Sequence, residues 1–382
     1  MKKTILVALS LILIFILLFP IAWDRRYVDE LGFIRILVID KAMDDPKKIE
    51  VYALRPYYYK EKNKYSGALH NEGATLIDAL GKIQAQESTH LVMGSVSVVF
   101  ISQTVAEDNI INIMSQLDHL TEFESQARVV ILSGDASIIT KFEPSQQKRS
   151  DMLITDTLNE AEDNSSIPNS RFFNVMSILE DKYRSLVLPV VTIKIKTKDE
   201  QFLQLEGLAL FNKGKIIGKI PPKEVTPYML LRKRANRLLL DIPEDNLTPY
   251  GVKVLSVAIT KNKIKISSKI NNGHPEIKLD LNLVADIIDF AVDENSSTKP
   301  LLSKEETLKK LEDVSSNYIT MLLNNIMDKM QHEYGADIFG IGEYVKTQNY
   351  NFITRNPWEE TFPNSSITVK VNLKLRELGD NK

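Results

Sequence analysis

Residues 303–334 carry one apolar stripe at helical spacing: Leu308, Leu311, Val314, Tyr318, Met321, Leu322, Ile326 and Met330. A helix that is apolar on one side and charged on the other must bury that side against another element. The chain supplies one. From Ile367 to Leu375 it alternates strictly, placing Ile367, Val369, Val371, Leu373 and Leu375 on a single strand face. A one-sided helix and a one-sided strand demand a helix-on-sheet layer. Ser303 followed by Glu306 is a capping box that starts the helix. Asp337–Gly342 then reads as the turn that aims the chain after it, with Gly340 and Gly342 supplying backbone angles that a side chain disfavours.

The rest of the chain follows the same grammar. Leu31–Asp40 and Ile49–Tyr59 read as a strand hairpin, and Lys60–Asn71 as a polar loop. Leu76, Ile77, Leu80 and Ile83 mark a helix; Thr89–Gln103 reads as one long strand with a bulge at Gly94. A helix over 109–120, a strand at Arg128–Ser133 and a short helix at Ala136–Phe142 follow. Pro144–Ser170 is polar enough to predict an exposed linker holding one short helix near 151–158. Ser170 is expected to cap the next helix, through Tyr183, before a strand at Leu186–Lys196. Phe202–Phe211 and Ile216–Ile220 make a hairpin about Asn212–Lys215, and a helix is expected from Thr226 to Leu238. Val252–Thr260, Lys263–Ile270 and Glu276–Leu283 predict three strands, the middle one with one wet face. The expected fold class is α+β: an N-terminal membrane segment, then two to three domains, each a mainly antiparallel or mixed sheet flanked by helices. The boundaries are 1–22 for the segment, 23–200 for an N-terminal region divisible at the 144–170 linker, and 206–375 for a C-terminal domain.

The N-terminus decides where those domains sit. After Met1-Lys2-Lys3, residues Ile5–Phe19 are apolar except for Ser10. This has the make-up of an export signal, and is near the roughly 20 residues a helix needs to cross a bilayer. Pro20 and Ala22 fit a signal-peptidase site poorly, and no cysteine exists to accept a lipid. An uncleaved anchor is the expected outcome, against a cleaved signal and a secreted product. Trp23, Asp24, Arg25 and Arg26 would then lie next to the membrane, Trp23 and the two arginines as interfacial anchors.

Composition narrows the chemistry. Net charge is −2, which argues against a nucleic-acid partner. With zero cysteines there is no disulfide, thiolate metal site or cysteine nucleophile. The five histidines have no metal-ligand spacing, and His332-Glu333 lacks the second histidine of a zincin because Ala336 stands there. Gly340-Ile341-Gly342 lacks the third glycine of a dinucleotide fingerprint and follows a helix. No catalytic residue, cofactor site or metal site is expected. Arg232-Lys233-Arg234 reads as a solvated helix face or a weak headgroup contact. Trp358 and Phe362 read as core packing or a partner surface.

Several patches, in order, resemble the Ger(x)C family, the C subunits of bacterial spore germinant receptors. They are Ala22-Trp23-Asp24-Arg25-Arg26, Leu31-Gly32-Phe33 with Ile39–Ala42, Glu72–Ala79, Gly94–Ala106 and Val129–Ala136. In the second half they are Gly207–Phe211, Lys215–Gly218, Asp337–Gly342, and Trp358-Glu359 with Phe362. The resemblance spans about Trp23 to Leu375. It implies a non-enzymatic, membrane-anchored receptor subunit required for nutrient-triggered germination. The implied partners are a multi-spanning A-type and a transporter-like B-type membrane subunit, at the outer face of the inner spore membrane or cell membrane. Asp337, Phe339, Gly340, Gly342, Trp358 and Phe362 become candidate structural or interface residues. One departure matters: the family carries a lipid on the cysteine before Trp-Asp, and that position here is Ala22. The alternative function class is an exported cell-envelope enzyme such as a wall hydrolase, disfavoured by the missing nucleophile and metal motifs.

Overall fold

The computed structural model describes residues 10, 15, 28–55, 68–142, 150–195, 197, 201–232, 237–243, 247, 252–292 and 305–376. Most of the apolar N-terminal run and all of Trp23, Asp24, Arg25 and Arg26 lie outside these residues. Among the described residues, no helix is long and apolar enough to cross a membrane.

Ten strands precede residue 221: β1 (Leu31–Phe33), β2 (Ile36–Lys41), β3 (Ile49–Leu54), β4 (Leu69–Gly73), β5 (His90–Val92), β6 (Val98–Ser102), β7 (Arg128–Leu132), β8 (Val187–Ile195), β9 (Gln201–Asn212) and β10 (Lys215–Ile220). Eight of them form one mixed sheet in the order β10-β9-β8-β7-β6-β2-β3-β4. Its centre, β2-β6-β7-β8, is parallel and its flanks are antiparallel. β6 and β7 are buried at every position, as a sheet covered on both faces requires. One face is covered by α1 (Leu76–Ala85), α2 (Gln103–Asp118) and α4 (Phe172–Leu179), the other by α3 (Ser150–Asp163) and a 3-10 turn at Ala136–Lys141.

Several expectations are corrected here. Leu69–Gly73 is strand β4, not loop, because its backbone completes the edge of β3. Residues 89–103 are two strands: β5 pairs with β1 in a separate two-stranded sheet, and β6 enters the large one. Helix α2 begins at Gln103 and breaks at Asn109, whose extended backbone lets its side chain accept from Ile111 N (2.9 Å) and restart the helix. The 144–170 stretch is no exposed linker over its described part. Ile154, Leu158 and Ile167 are buried, and Glu162 pairs with the buried Arg128 of β7 at 2.6 Å. Ser170 does not cap α4; Arg171 holds that position without a side-chain bond.

The second unit has a four-stranded sheet, β11 (Leu238–Ile242), β12 (Val252–Asn271), β13 (His274–Val292) and β14 (Ser366–Arg376), in sequence order. Residues 252–270, expected as two strands, are one continuous strand that bends at bulges near Val252, Ser256 and Ile259. Helix α5 (Pro222–Leu231) starts earlier than expected, with Pro222 in its first turn, and ends at Arg232; Leu238 is already strand. Helix α6 (Glu305–Asp328) continues as a wider π turn to Tyr334 and packs along β14, as the two one-sided elements demand. Its buried line is Leu311, Ser315, Ile319, Leu323, Ile326, Met327 and Met330, while Met321 faces solvent. The stripe is therefore rotated from the one read in the sequence. α6 also closes the sheet edge: Ser316 Oγ accepts from Leu373 N (3.0 Å) and Glu312 from Leu375 N (2.9 Å). Three short helices, α7 (Ile341–Gln348), α8 (Tyr350–Ile353) and α9 (Trp358–Thr361), lie between α6 and β14.

Strand β9 is a wall shared by both units. By the two-residue period of a strand, Ala209 and Phe211 enter the N-terminal core while Leu208 and Leu210 enter the C-terminal one. Gly207 has φ +111 and lies so close to the Ile220 carbonyl that a Cβ would collide with it.

Candidate functional site

The chain leaves the π turn through Gly335, at φ +60, and the next two residues bring Asp337 into the interior. Its carboxylate accepts four hydrogen bonds. Oδ1 takes the backbone N–H of Phe339 (3.0 Å) and Gly340 (2.9 Å); Oδ2 takes the N–H of Gly342 (2.8 Å) and the Trp358 indole Nε1–H (2.9 Å). The three amides form a nest around one anion, just where α7 begins and its first N–H groups lack helical partners. Burial pushes the Asp337 carboxyl above its ordinary range, and these N–H donors pull against that push.

The glycines make the nest possible for two different reasons. Gly340 is left-handed (φ +74), and an added Cβ would also press on Arg184 Cδ at 3.2 Å. Gly342 does not have a positive φ. It is needed because the Trp358 ring lies on it, and a Cβ there would fall within 2.5–2.8 Å of the indole. The sequence-based reason for Gly342, an unusual backbone angle, is thus replaced by close approach. Trp358 packs on Phe362 (ring centroids 5.7 Å apart) and Phe339 on Tyr228 (6.2 Å). The buried Gln331 amide holds the end of this segment by donating to the carbonyls of Phe362 and Ser365, both at 2.9 Å.

This cluster is the joint between the two units. The Asp337 carbonyl accepts from Ser185 N (2.7 Å), at the entry to β8. Arg232, at the end of α5, donates to the Phe339 carbonyl (3.1 Å), and Arg184 lies 3.7 Å from Glu343. Lys346 of α7 sits over the Tyr183 ring at 4.5 Å, and Lys213 in the β9–β10 turn pairs with Glu359 at 2.9 Å. Tyr334 covers Gly218 of β10, where no Cβ would fit. Two cavities flank the joint. One of about 90 Å³ lies between Leu186, Phe211 and Trp358; one of about 160 Å³ lies between Arg184, Arg232, Asn174 and Tyr228.

All six C-terminal candidates, Asp337, Phe339, Gly340, Gly342, Trp358 and Phe362, therefore come together. Trp358 and Phe362 are buried and serve the joint rather than an exposed surface. Sequence reasoning missed Arg184 and Ser185, which carry no motif. It also misplaced Arg232, which is drawn inward and not on a solvated face; Lys233 and Arg234 lie outside the described residues. Among the described residues, no group of three or more His, Asp and Glu side chains is placed to hold a metal ion.

Fold and joint define a class: a two-unit α+β protein, its halves sharing a strand and meeting at a turn that one buried carboxylate organises. Comparison gives the family. A model of the spore germination protein N-terminal domain matches residues 24–193, and one described as spore germination B3/GerAC like, C-terminal, matches residues 206–379. The chain belongs to the GerAC/GerBC-like C-subunit family of spore germination proteins. It is 21% identical over 359 residues to spore germination protein GerQC of Bacillus cereus, covering 93% of this chain and 94% of that one. It is also 21% identical over 376 residues to spore germination protein B3 of Bacillus subtilis (strain 168), covering 94% of each. The crystal structure of the GerBC protein superposes with a TM-score of 0.56 at 15% identity, over 92% of this chain and 99% of that one, a likeness of fold.

Proposed function

We propose that this chain is a non-enzymatic, membrane-anchored subunit of a spore germinant receptor, needed for nutrient-triggered germination. It acts by assembling with integral-membrane subunits, one multi-spanning and one transporter-like. The observation that carries this reading is the family match across both units, 24–193 and 206–379. The Asp337 joint supports it physically, because a buried carboxylate with all its acceptor positions filled holds structure rather than turning over a substrate. The proposed units, 23–200 and 206–375, meet at β9, and the joint makes them a single scaffold. Anchoring falls to the apolar run 5–19, since Ala22 stands where the family's lipid-bearing cysteine would be.

The test is a strain lacking this gene, complemented with the tagged full chain. Spores of the deletion should fail to germinate with the receptor's nutrient, and the tagged chain should co-isolate from spore membranes with multi-spanning proteins. Metabolic labelling with a fatty acid should leave the chain unlabelled, and its N-terminal peptide should retain residues before Trp23. Normal nutrient germination in the deletion strain would refute the role; a mature N-terminus at Ala22 or Trp23 would refute the anchor.

A further inference from the structure

The outer face of β12, β13 and β14 beyond the bulge at Ile259 is strongly basic, although the whole chain carries a net charge of −2. Beyond the bulge at Ile259 the register of β12, β13 and β14 runs without a break, so alternate residues of all three strands share one face. On β12 that face shows Lys261, Lys263, Lys265 and Lys269, all exposed. Lys265 stands in a row with Asp280 and Lys370, Lys263 with Asn282 and Asn372, and Lys261 with Val284 and Lys374. Lys278 extends the patch on β13. The acidic residues on the face are Glu276, Asp280 and Asp286, and Asp286 is held by Arg376 at 2.6 Å. At strand rise and spacing, the patch is about 27 Å long and about 10 Å wide. The opposite face of the same strands is buried, with α6 packed along β14 and α7 against β12.

We propose that this lysine face docks on the anionic headgroup surface of the membrane that holds the chain. The choice of a lipid surface over an acidic protein follows from what the face contains. Protein interfaces are built round aromatic and aliphatic anchors and are depleted in lysine. This face has flexible ammonium groups in rows, with Ser267, Thr368, Asn282 and Asn372 between them and no exposed aromatic. Anionic leaflets attract such clusters, each lysine adding to the binding within a Debye length of the surface. A bilayer is also the surface at hand, because the apolar run 5–19 would keep the chain beside it; the proposal rests on that reading for its geometry. Docking would lay the C-terminal sheet flat on the membrane, with α6 turned away from it.

The test uses the full chain in vesicles of phosphatidylcholine, with and without phosphatidylglycerol. Amine-reactive labelling of Lys263, Lys265 and Lys370 is read by peptide mass spectrometry, with Lys309 on α6 as the internal control. Labelling of the face should slow about fivefold or more when phosphatidylglycerol is present, Lys309 should not change, and high salt should restore the faster rate. In the variant K263E/K265E/K370E, which should keep its circular dichroism and its association with vesicles, labelling of the remaining face lysines Lys261 and Lys374 should lose its dependence on lipid charge. Equal labelling in the two bilayers would overturn the proposal, as would protection that needs co-reconstituted receptor subunits and ignores lipid charge, the sign of an acidic protein partner. Flotation separates this from the anchoring reading. A chain that leaves neutral vesicles yet floats with anionic ones at low salt would keep the docking and refute the anchor; one that floats with neither would refute both.

Discussion

Asp337→Asn changes one atom in the joint and reverses its hydrogen bonding. The asparagine oxygen can replace Oδ1 and keep the amides of Phe339 and Gly340. Its NH2 then replaces Oδ2 and meets the Gly342 N–H and the Trp358 indole N–H, two buried donors now facing a donor. Each buried donor left unmet costs about 1–3 kcal/mol, and removal of a buried charge offsets part of that, so the net loss should be about 3 kcal/mol. For a unit of 150–250 residues that is a fall in melting temperature of roughly 6–12 °C. The assay is thermal melting of the full chain in detergent, followed by circular dichroism. Trp358→Phe removes one of the two opposed donors. Combined with Asp337→Asn it should therefore cost less than in the parent, with a coupling of about 1 kcal/mol or more. A melting temperature unchanged by Asp337→Asn, or strictly additive effects of the two substitutions, would refute the view that this carboxylate holds the joint.

Gly340→Val should destabilise by about 2 kcal/mol or more, because a β-branched residue must enter the left-handed region, and should lower receptor abundance in spores by immunoblot. Gly342→Ala should cost about 1–3 kcal/mol by displacing the indole, visible as a change in Trp358 fluorescence relative to Trp23. The Glu343 carboxyl is held above its ordinary 4.5, by burial first and then by its hydrogen bond to Asp181, against the pull of Arg184 and Arg232. The stability it contributes is therefore present below 4.5 and lost as pH rises through its folded value. Melting of the parent relative to Glu343→Gln should fall from acid toward neutral pH, and a difference that rises instead would contradict this environment. Glu162→Gln leaves the buried Arg128 guanidinium without its carboxylate and should cost about 3 kcal/mol by urea denaturation. In the parent, residues 150–163 should resist limited proteolysis, and first cuts inside them would contradict the packing of α3 on the sheet.

The sequence by itself determined the layers. Strict alternation in 367–375 and a one-sided helix over 305–328 leave a helix on a sheet as their shared solution, whatever surrounds them, because both patterns are set by local geometry. It also brought the six joint residues to attention, through their order along a family resemblance. What it could not determine is whatever depends on pairing between distant segments. Residues 144–170 read as linker because their buried set, Ile154, Leu158 and Ile167, is too sparse to register as a stripe, and the partner that seats Glu162 lies 34 positions away at Arg128. Residues 252–270 read as two strands because the bulges that bend one continuous strand have no composition of their own. The role of Asp337 depends on a tryptophan 21 positions on and on Ser185 across the joint, and the lysine rows on a parallel pairing of β13 with β14 across some 90 residues. A side chain's neighbours along the chain fix which face it occupies, but only the closed tertiary structure brings the opposing donors and charges within the few ångströms over which they act.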